Sequence, residues 1–209
     1  MNALILVIIL AIVEGITEFL PVSSTGHMIL VNKLIGGEYL SPTFTNSFLI
    51  IIQLGAILSV VVYFWKDLTP FVGTKEKFVL RFRLWVKIIV GVIPAMVIGL
   101  FLDDIIDKYF MDNVTTIAIT LIVYGIIFIA IEVIYKIKNV KARVRKFSEL
   151  KYGTAFLIGF FQCLAMIPGT SRSGATIIGA LLLGLSRPLA AEFSFYLAIP
   201  TMFGATALK

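Results

Sequence analysis

The sequence predicts an all-α integral membrane protein built as inverted-topology repeats, each a re-entrant helix hairpin followed by transmembrane helices, with the second repeat truncated. Three observations carry this expectation. Of the 209 residues, 59% are hydrophobic and only 14% charged, against about 25% charged in a soluble domain, and the mean hydropathy is +1.03. Two apolar segments are each interrupted by a polar, turn-forming tip, Pro21–Gly26 (PVSSTG) and Pro168–Gly174 (PGTSRSG). The two tips also superpose at one constant offset.

Taken in chain order, Asn2–Leu20 is apolar, stops at the first tip, and resumes only for His27–Ile35. Ser47–Phe64 follows, 18 residues, or about 27 Å as a helix, the thickness of a bilayer core. Leu84–Leu102, with Pro94 inside it, and Val114–Tyr135 read the same way. Proline is tolerated in a span whose neighbours satisfy the freed backbone groups. Tyr152–Ile167 then stops at the second tip, resumes over Ala175–Leu185, and Leu189–Lys209 reads as a further span. Non-helical backbone at membrane depth survives only inside protein or along a wet cavity, so both interrupted segments are predicted to be hairpins whose tips meet. No basic n-region or small-residue cleavage site marks the N-terminus, so no removed signal peptide is expected. Cys163 is the only cysteine, which rules out an intrachain disulfide.

An offset of 148 residues places Glu14 on Gln162, Ser23 on Ser171, Thr25 on Ser173, Gly26 on Gly174 and Gly36 on Gly184. Gln53–Ala56 (QLGA) faces Met202–Ala205 (MFGA) one residue out of register. The expectation is one polytopic domain, 1–209, with repeat one over about 1–148 and a partial repeat two over about 149–209. Lys and Arg gather in Trp65–Arg83 and Lys136–Lys151, while Asp103, Asp104, Asp107 and Asp112 mark an acidic loop. Basic loops stay cytoplasmic, which puts the acidic loop outside. Three spans between the hairpins make the second enter from the opposite face, the arrangement that places a site near the midplane. The net charge of +6 is then an orientation signal, and no nucleic-acid partner is expected. Symmetry asks for two more helices after Lys209.

Ionisable groups inside apolar segments are costly and functional by default; here they are Glu14, Glu18, His27 and Arg172. Glu14 and Glu18 stand four residues apart, on one helix face, and such a pair needs a proton, a cation or an arginine. Ser24 or Thr25 is expected to cap a helix beginning near Gly26, aiming free N–H groups at an anion. Thr170, Ser171 and Ser173 do the same for a helix from Gly174, where Arg172 adds a guanidinium clamp. Histidine can act as base or acid, and His27 stands three residues from Ser24, a base beside a nucleophile. With Ser23 in the first tip, these residues form a candidate site for a multiply charged anion. Gly169–Thr176 has the outer glycines of a P-loop, but Ala175 stands where its lysine belongs. The tips also share short pieces with type-2 phosphatidate phosphatases, whose further His and Asp are missing after Arg172.

Glu14–His27 (EGITEFLPVSSTGH) and Pro168–Thr176 (PGTSRSGAT), with QLGA and the run Glu192–Phe195, resemble the signature motifs of the bacterial undecaprenyl-diphosphate phosphatase family, the bacitracin-resistance proteins. The resemblance covers the whole chain. It implies hydrolysis of undecaprenyl diphosphate to the monophosphate, which recycles the carrier lipid for cell-wall synthesis, in a multi-pass protein of the bacterial plasma membrane reached from the outer leaflet. It also implies a divalent metal requirement; Mg²⁺ or Ca²⁺ held by the acidic pair Glu14 and Glu18 is expected, since hard cations take oxygen ligands. Ser24, Thr25 and His27 would be catalytic-region residues; Ser171 and Arg172 would hold phosphate. Family members continue for about two more helices. The expected partners are the polyprenyl diphosphate lipid and the membrane, with a homodimer left open. Whether Ser24 or a water attacks also stays open. Broken helices in inverted repeats are transporter architecture too, so a polyprenyl-phosphate flippase using the same anion site is the competing expectation.

Overall fold

The computed structural model describes residues 3–35, 42–110, 114–167 and 169–208, and these are helical throughout apart from turns and one isolated bridge. The helices are α1 (Ala3–Thr17), α2 (Ser24–Leu34), α3 (Pro42–Tyr63), the short α4 (Trp65–Leu68), α5 (Lys75–Phe110), α6 (Val114–Ile137), α7 (Tyr152–Cys163), α8 (Arg172–Leu182) and α9 (Arg187–Leu208). A 3₁₀ turn, Leu164–Met166, extends α7. Pro168, Gly36 and Asp112 lie outside the described residues.

Among the described residues, two helices are long and apolar enough to cross a bilayer, Lys75–Leu102 of α5 and Thr115–Ile137 of α6. Only 6% of the most apolar window of α6 is buried. A helix that is apolar on every side and almost uncovered is stable only when its solvent is lipid. This is a membrane protein.

Several boundaries differ from the sequence expectation. Helix α2 starts at Ser24 with Ser23 as its cap, not near Gly26 with Ser24 or Thr25 capping. Helix α8 starts at Arg172 with Ser171 as its cap. In both tips the capping serine accepts from the glycine three residues on, so the helix begins as soon as a side-chain oxygen can satisfy its first turn. Helix α5 takes in Lys75, Lys77, Arg81 and Arg83 at one end and Asp103, Asp104 and Asp107 at the other. Hydropathy marks where lipid ends, but Lys and Arg are good helix formers and carry the helix past that edge.

Lipid gives helices no hydrophobic reason to associate, so close packing must do it. Helices α5 and α7 meet through Gly91 and Gly159: a Cβ on Gly159 would run into the Gly91 carbonyl oxygen. The contact lies one turn from Pro94, whose ring also faces Gly159. Helix α9 runs through the larger core with Phe193, Tyr196 and Leu197 fully buried, and Tyr196 packs edge-on against Phe64, the residue between α3 and α4, ring centroids 5.2 Å apart. A smaller core of Leu6, Leu10 and Met28 joins α1 to α2.

The basic segment 138–151 is ordered. Lys87, buried in α5, donates to the Phe147 carbonyl at 2.6 Å, and Arg143 and Val144 donate to the Gly184 carbonyl. Glu149 receives the Arg145 backbone N–H at 2.8 Å, a bond that holds its carboxyl below the usual carboxylate range.

Candidate active site

The two tips lie side by side. Ser173 Oγ, in the second, donates to the Leu20 carbonyl in the first at 3.1 Å, and a Cβ on Gly174 would stand 3.4 Å from the Pro21 carbonyl oxygen. Both rest on the same turn of α6. Gly26 faces Ile117 and Leu121, while Gly169 presses on the Ile117 backbone, where a Cβ would meet the carbonyl oxygen at 2.8 Å. Gly169 has φ +89°, so both its conformation and its neighbour require glycine.

The centre is a chain of three side chains. Arg172 Nη2 donates to Glu18 Oε1 at 2.7 Å, and Ser24 Oγ donates to Glu18 Oε2 at 2.5 Å. An ion pair between residues 154 positions apart in sequence thus shares its buried carboxylate with Ser24. Arg172 Nε and Nη1 are buried with no partner among the described residues. Buried donors of a charged group are seldom left unpaired, so they mark a place for acceptors. Around them, the N–H groups of Ser24, Thr25, Arg172 and Ser173 head two helices and make no bond among the described residues. Helix starts of this kind favour anions.

These groups line a cavity of about 810 Å³, within the range of ligand sites. Its polar part holds Glu18, Ser23, Ser24, Thr25, Gln53, Gln162, Thr170, Ser171, Arg172 and Ser173; its apolar walls come from α5 (Val92 to Leu100) and α9 (Pro200 to Ala207). Gln53 Nε2 donates to Thr25 Oγ1 at 3.0 Å.

Five of the expected residues stand differently. Ser24 bonds Glu18, not His27; His27 Nδ1 lies 2.9 Å from the Ser23 carbonyl oxygen, and His27 is not among the residues lining the cavity. Spacing along one helix favoured the His27 pairing, but a buried carboxylate takes the nearest donor, and the turn after α1 brings Glu18 to Ser24. Glu14, Gly26 and Gly174 also stand behind the lining; the two glycines serve the caps. Thr17, Gln53, Gln162 and Thr201 are the polar lining residues that sequence reasoning left out of the site. Gln162 was flagged there only as the counterpart of Glu14.

The profile for bacitracin resistance protein BacA matches residues 7–209 of this chain. The chain belongs to the BacA family. This family member is 85% identical to the undecaprenyl-diphosphatase of Fusobacterium nucleatum, over 98% of this chain and 77% of that protein. It is 55% identical to undecaprenyl-diphosphatase 1 of Clostridioides difficile, over 97% of this chain and 72% of that one. The undecaprenyl-diphosphatase of Desulfitobacterium hafniense is 55% identical, over 97% and 72%.

A divalent cation fits the donors of this BacA-family site in kind. Glu14 Oε1 is buried with no partner among the described residues. Glu18 spends two of about four lone pairs on Ser24 and Arg172. Among the described residues no three acidic, His or Cys side chains cluster, so protein carboxylates alone would not complete a shell. One or two carboxylates completed by phosphate oxygens and water is the habit of Mg²⁺.

Proposed function

We propose that this chain is a membrane phosphatase that hydrolyses undecaprenyl diphosphate to undecaprenyl phosphate, returning the carrier lipid to cell-wall synthesis and conferring bacitracin resistance. The observation that carries this reading is the Arg172–Glu18–Ser24 chain at the head of two helices, with Arg172 donors left over. The names of the relatives favour hydrolysis over translocation.

Ser24 Oγ attacks the terminal phosphorus and passes its proton to Glu18 Oε2, which already accepts that hydrogen bond. The Oγ–P bond forms, and the bond from phosphorus to the bridging oxygen breaks with its electron pair on the departing lipid monophosphate. Arg172 and the free N–H groups of both tips take the charge that develops on the phosphate oxygens. Thr25, Thr170, Ser171 and Ser173 orient the diphosphate, and Ser23 shapes the tip that presents Ser24. Glu14 and Glu18 would hold a Mg²⁺ or Ca²⁺, which supplies Lewis-acid charge to the phosphate oxygens. The proton acceptor assigned from sequence to His27 passes to Glu18 in this reading.

The apolar walls from α5 and α9 would take the first isoprene units of the tail. The architecture is read as inverted repeats with re-entrant hairpins. Helices α2 and α8 have 11 residues each, α3 and α9 have 22 each, and the two serine caps match. The basic segment 136–151 on the cytoplasmic side would leave the site open to the outer leaflet.

The test is phosphate release from undecaprenyl diphosphate by purified protein, with and without chelator, beside lipid translocation in liposomes. Release that Ser24→Ala abolishes is the expected result; translocation without release would establish the flippase instead.

A further inference from the structure

Gln162 lies on α7, is 2% exposed and lines the cavity. Its amide orientation is decided by its neighbour. The Thr201 hydroxyl has one proton and donates it to the Leu197 carbonyl at 2.7 Å. Its 3.0 Å contact with Gln162 must therefore be received from Nε2–H. That leaves Gln162 Oε1 buried, with no partner among the described residues.

An acceptor is out of place here. Arg172 Nε and Nη1 and the N–H groups heading α2 and α8 are all donors waiting for an anion. An ionised phosphate oxygen has no proton to offer, so it satisfies them and leaves Gln162 Oε1 bare. Only an O–H donor completes the set, and the one O–H donor that hydrolysis must admit is water.

We propose that Gln162, held by Thr201, orients the water that cleaves phosphoserine at Ser24. The step rests on the phosphatase reading above. The water oxygen bonds to phosphorus, and the P–Oγ bond breaks with its electron pair returning to Ser24. Ser24 takes back the proton that Glu18 received in the first step. Both water protons leave on orthophosphate.

The experiment compares wild type, Gln162→Met and Thr201→Val in detergent with undecaprenyl diphosphate radiolabelled in the terminal phosphate. Turnover is followed, and acid-quenched protein is counted for label at Ser24. A misplaced nucleophile costs about 10²-fold, so Gln162→Met should lower kcat by about that factor and KM with it, leaving kcat/KM within about twofold of wild type because the first step is untouched, and protein-bound label should accumulate. Thr201→Val keeps Gln162 and only frees its amide; it should raise the label less, with kcat down about tenfold. Wild-type turnover in Gln162→Met, or slow turnover without label on the protein, overturns the proposal. Should Gln162→Met fail to fold, label at the wild-type level in Thr201→Val overturns it alone. Activity surviving in Ser24→Ala would instead sink the serine reading and this role with it. Normal turnover in Gln162→Met beside a dead Ser24→Ala sinks only the role of Gln162.

Discussion

The two tips share a frame and divide the chemistry. Each begins an 11-residue helix, at Ser24 and at Arg172, behind a serine whose Oγ accepts from the glycine three residues later. Yet Ser171 sits in ordinary extended backbone at φ −69°, whereas Ser23 is held at φ 64°, a region costly for any residue with a Cβ. The first hairpin carries the carboxylates Glu14 and Glu18; the second carries Arg172 and, where Glu14 would fall, the neutral Gln162. The difference teaches that two tips with the same cap and helix start carry different charges, the carboxylates on one side and the guanidinium on the other. Neither hairpin alone is a site.

The largest expected effect breaks that division at its junction. Arg172→Lys should cut turnover by about 10²-fold or more, because a point charge cannot serve Glu18 and a phosphate from one planar group. The melting temperature in detergent should barely move, and near-wild-type turnover would reduce Arg172 to a counter-ion. Next come Glu14→Gln and Glu18→Gln in a metal titration of phosphate release. Both should need more metal for half-activation, by about the 10–100-fold that even outer-shell partners cost a metal site, and Glu18→Gln should also lose maximal rate. Unmoved midpoints in both variants would leave the carboxylates as proton carriers only. The smallest effects sharpen the comparison of caps. Ser171→Ala should cost about 1 kcal/mol of stability, and Ser23→Gly only a few tenths, since glycine is a fair cap and is free at positive φ. Equal losses by denaturant titration would mean that the backbone of Ser23 is not under tension.

How much of this was legible in the sequence follows the range of the interactions. The hydropathy of Leu84–Leu102 and Val114–Tyr135 located α5 and α6, because lipid contact is a property of the segment itself. The offset of 148 placed Ser23 and Ser171 in register, and both prove to be caps, one residue or two before the Ser24 or Thr25 expected to cap the first helix. The partner of Ser24 was misread. Helical spacing pointed to His27, and nothing local announces that the turn after Thr17 returns Glu18 to the start of α2. Gln162 and Thr201 are 39 residues apart, and only the packing of α7 and α9 makes one side chain's proton decide how the other turns. The start of α5 at Lys75 was missed because hydropathy reports the solvent of a helix and not its length.

Helix α6 gives the site a mechanical aspect. One fully buried residue, Ile117, touches Gly26 in one tip and Gly169 in the other, while almost all of the helix around it has lipid for a wall. A bilayer that is too thin or too thick changes the tilt of such a helix, and both tips must follow it as a unit. The protein should therefore act as a gauge of its membrane: reconstituted in phosphatidylcholines of graded chain length, its phosphate release should peak at one thickness and fall on either side.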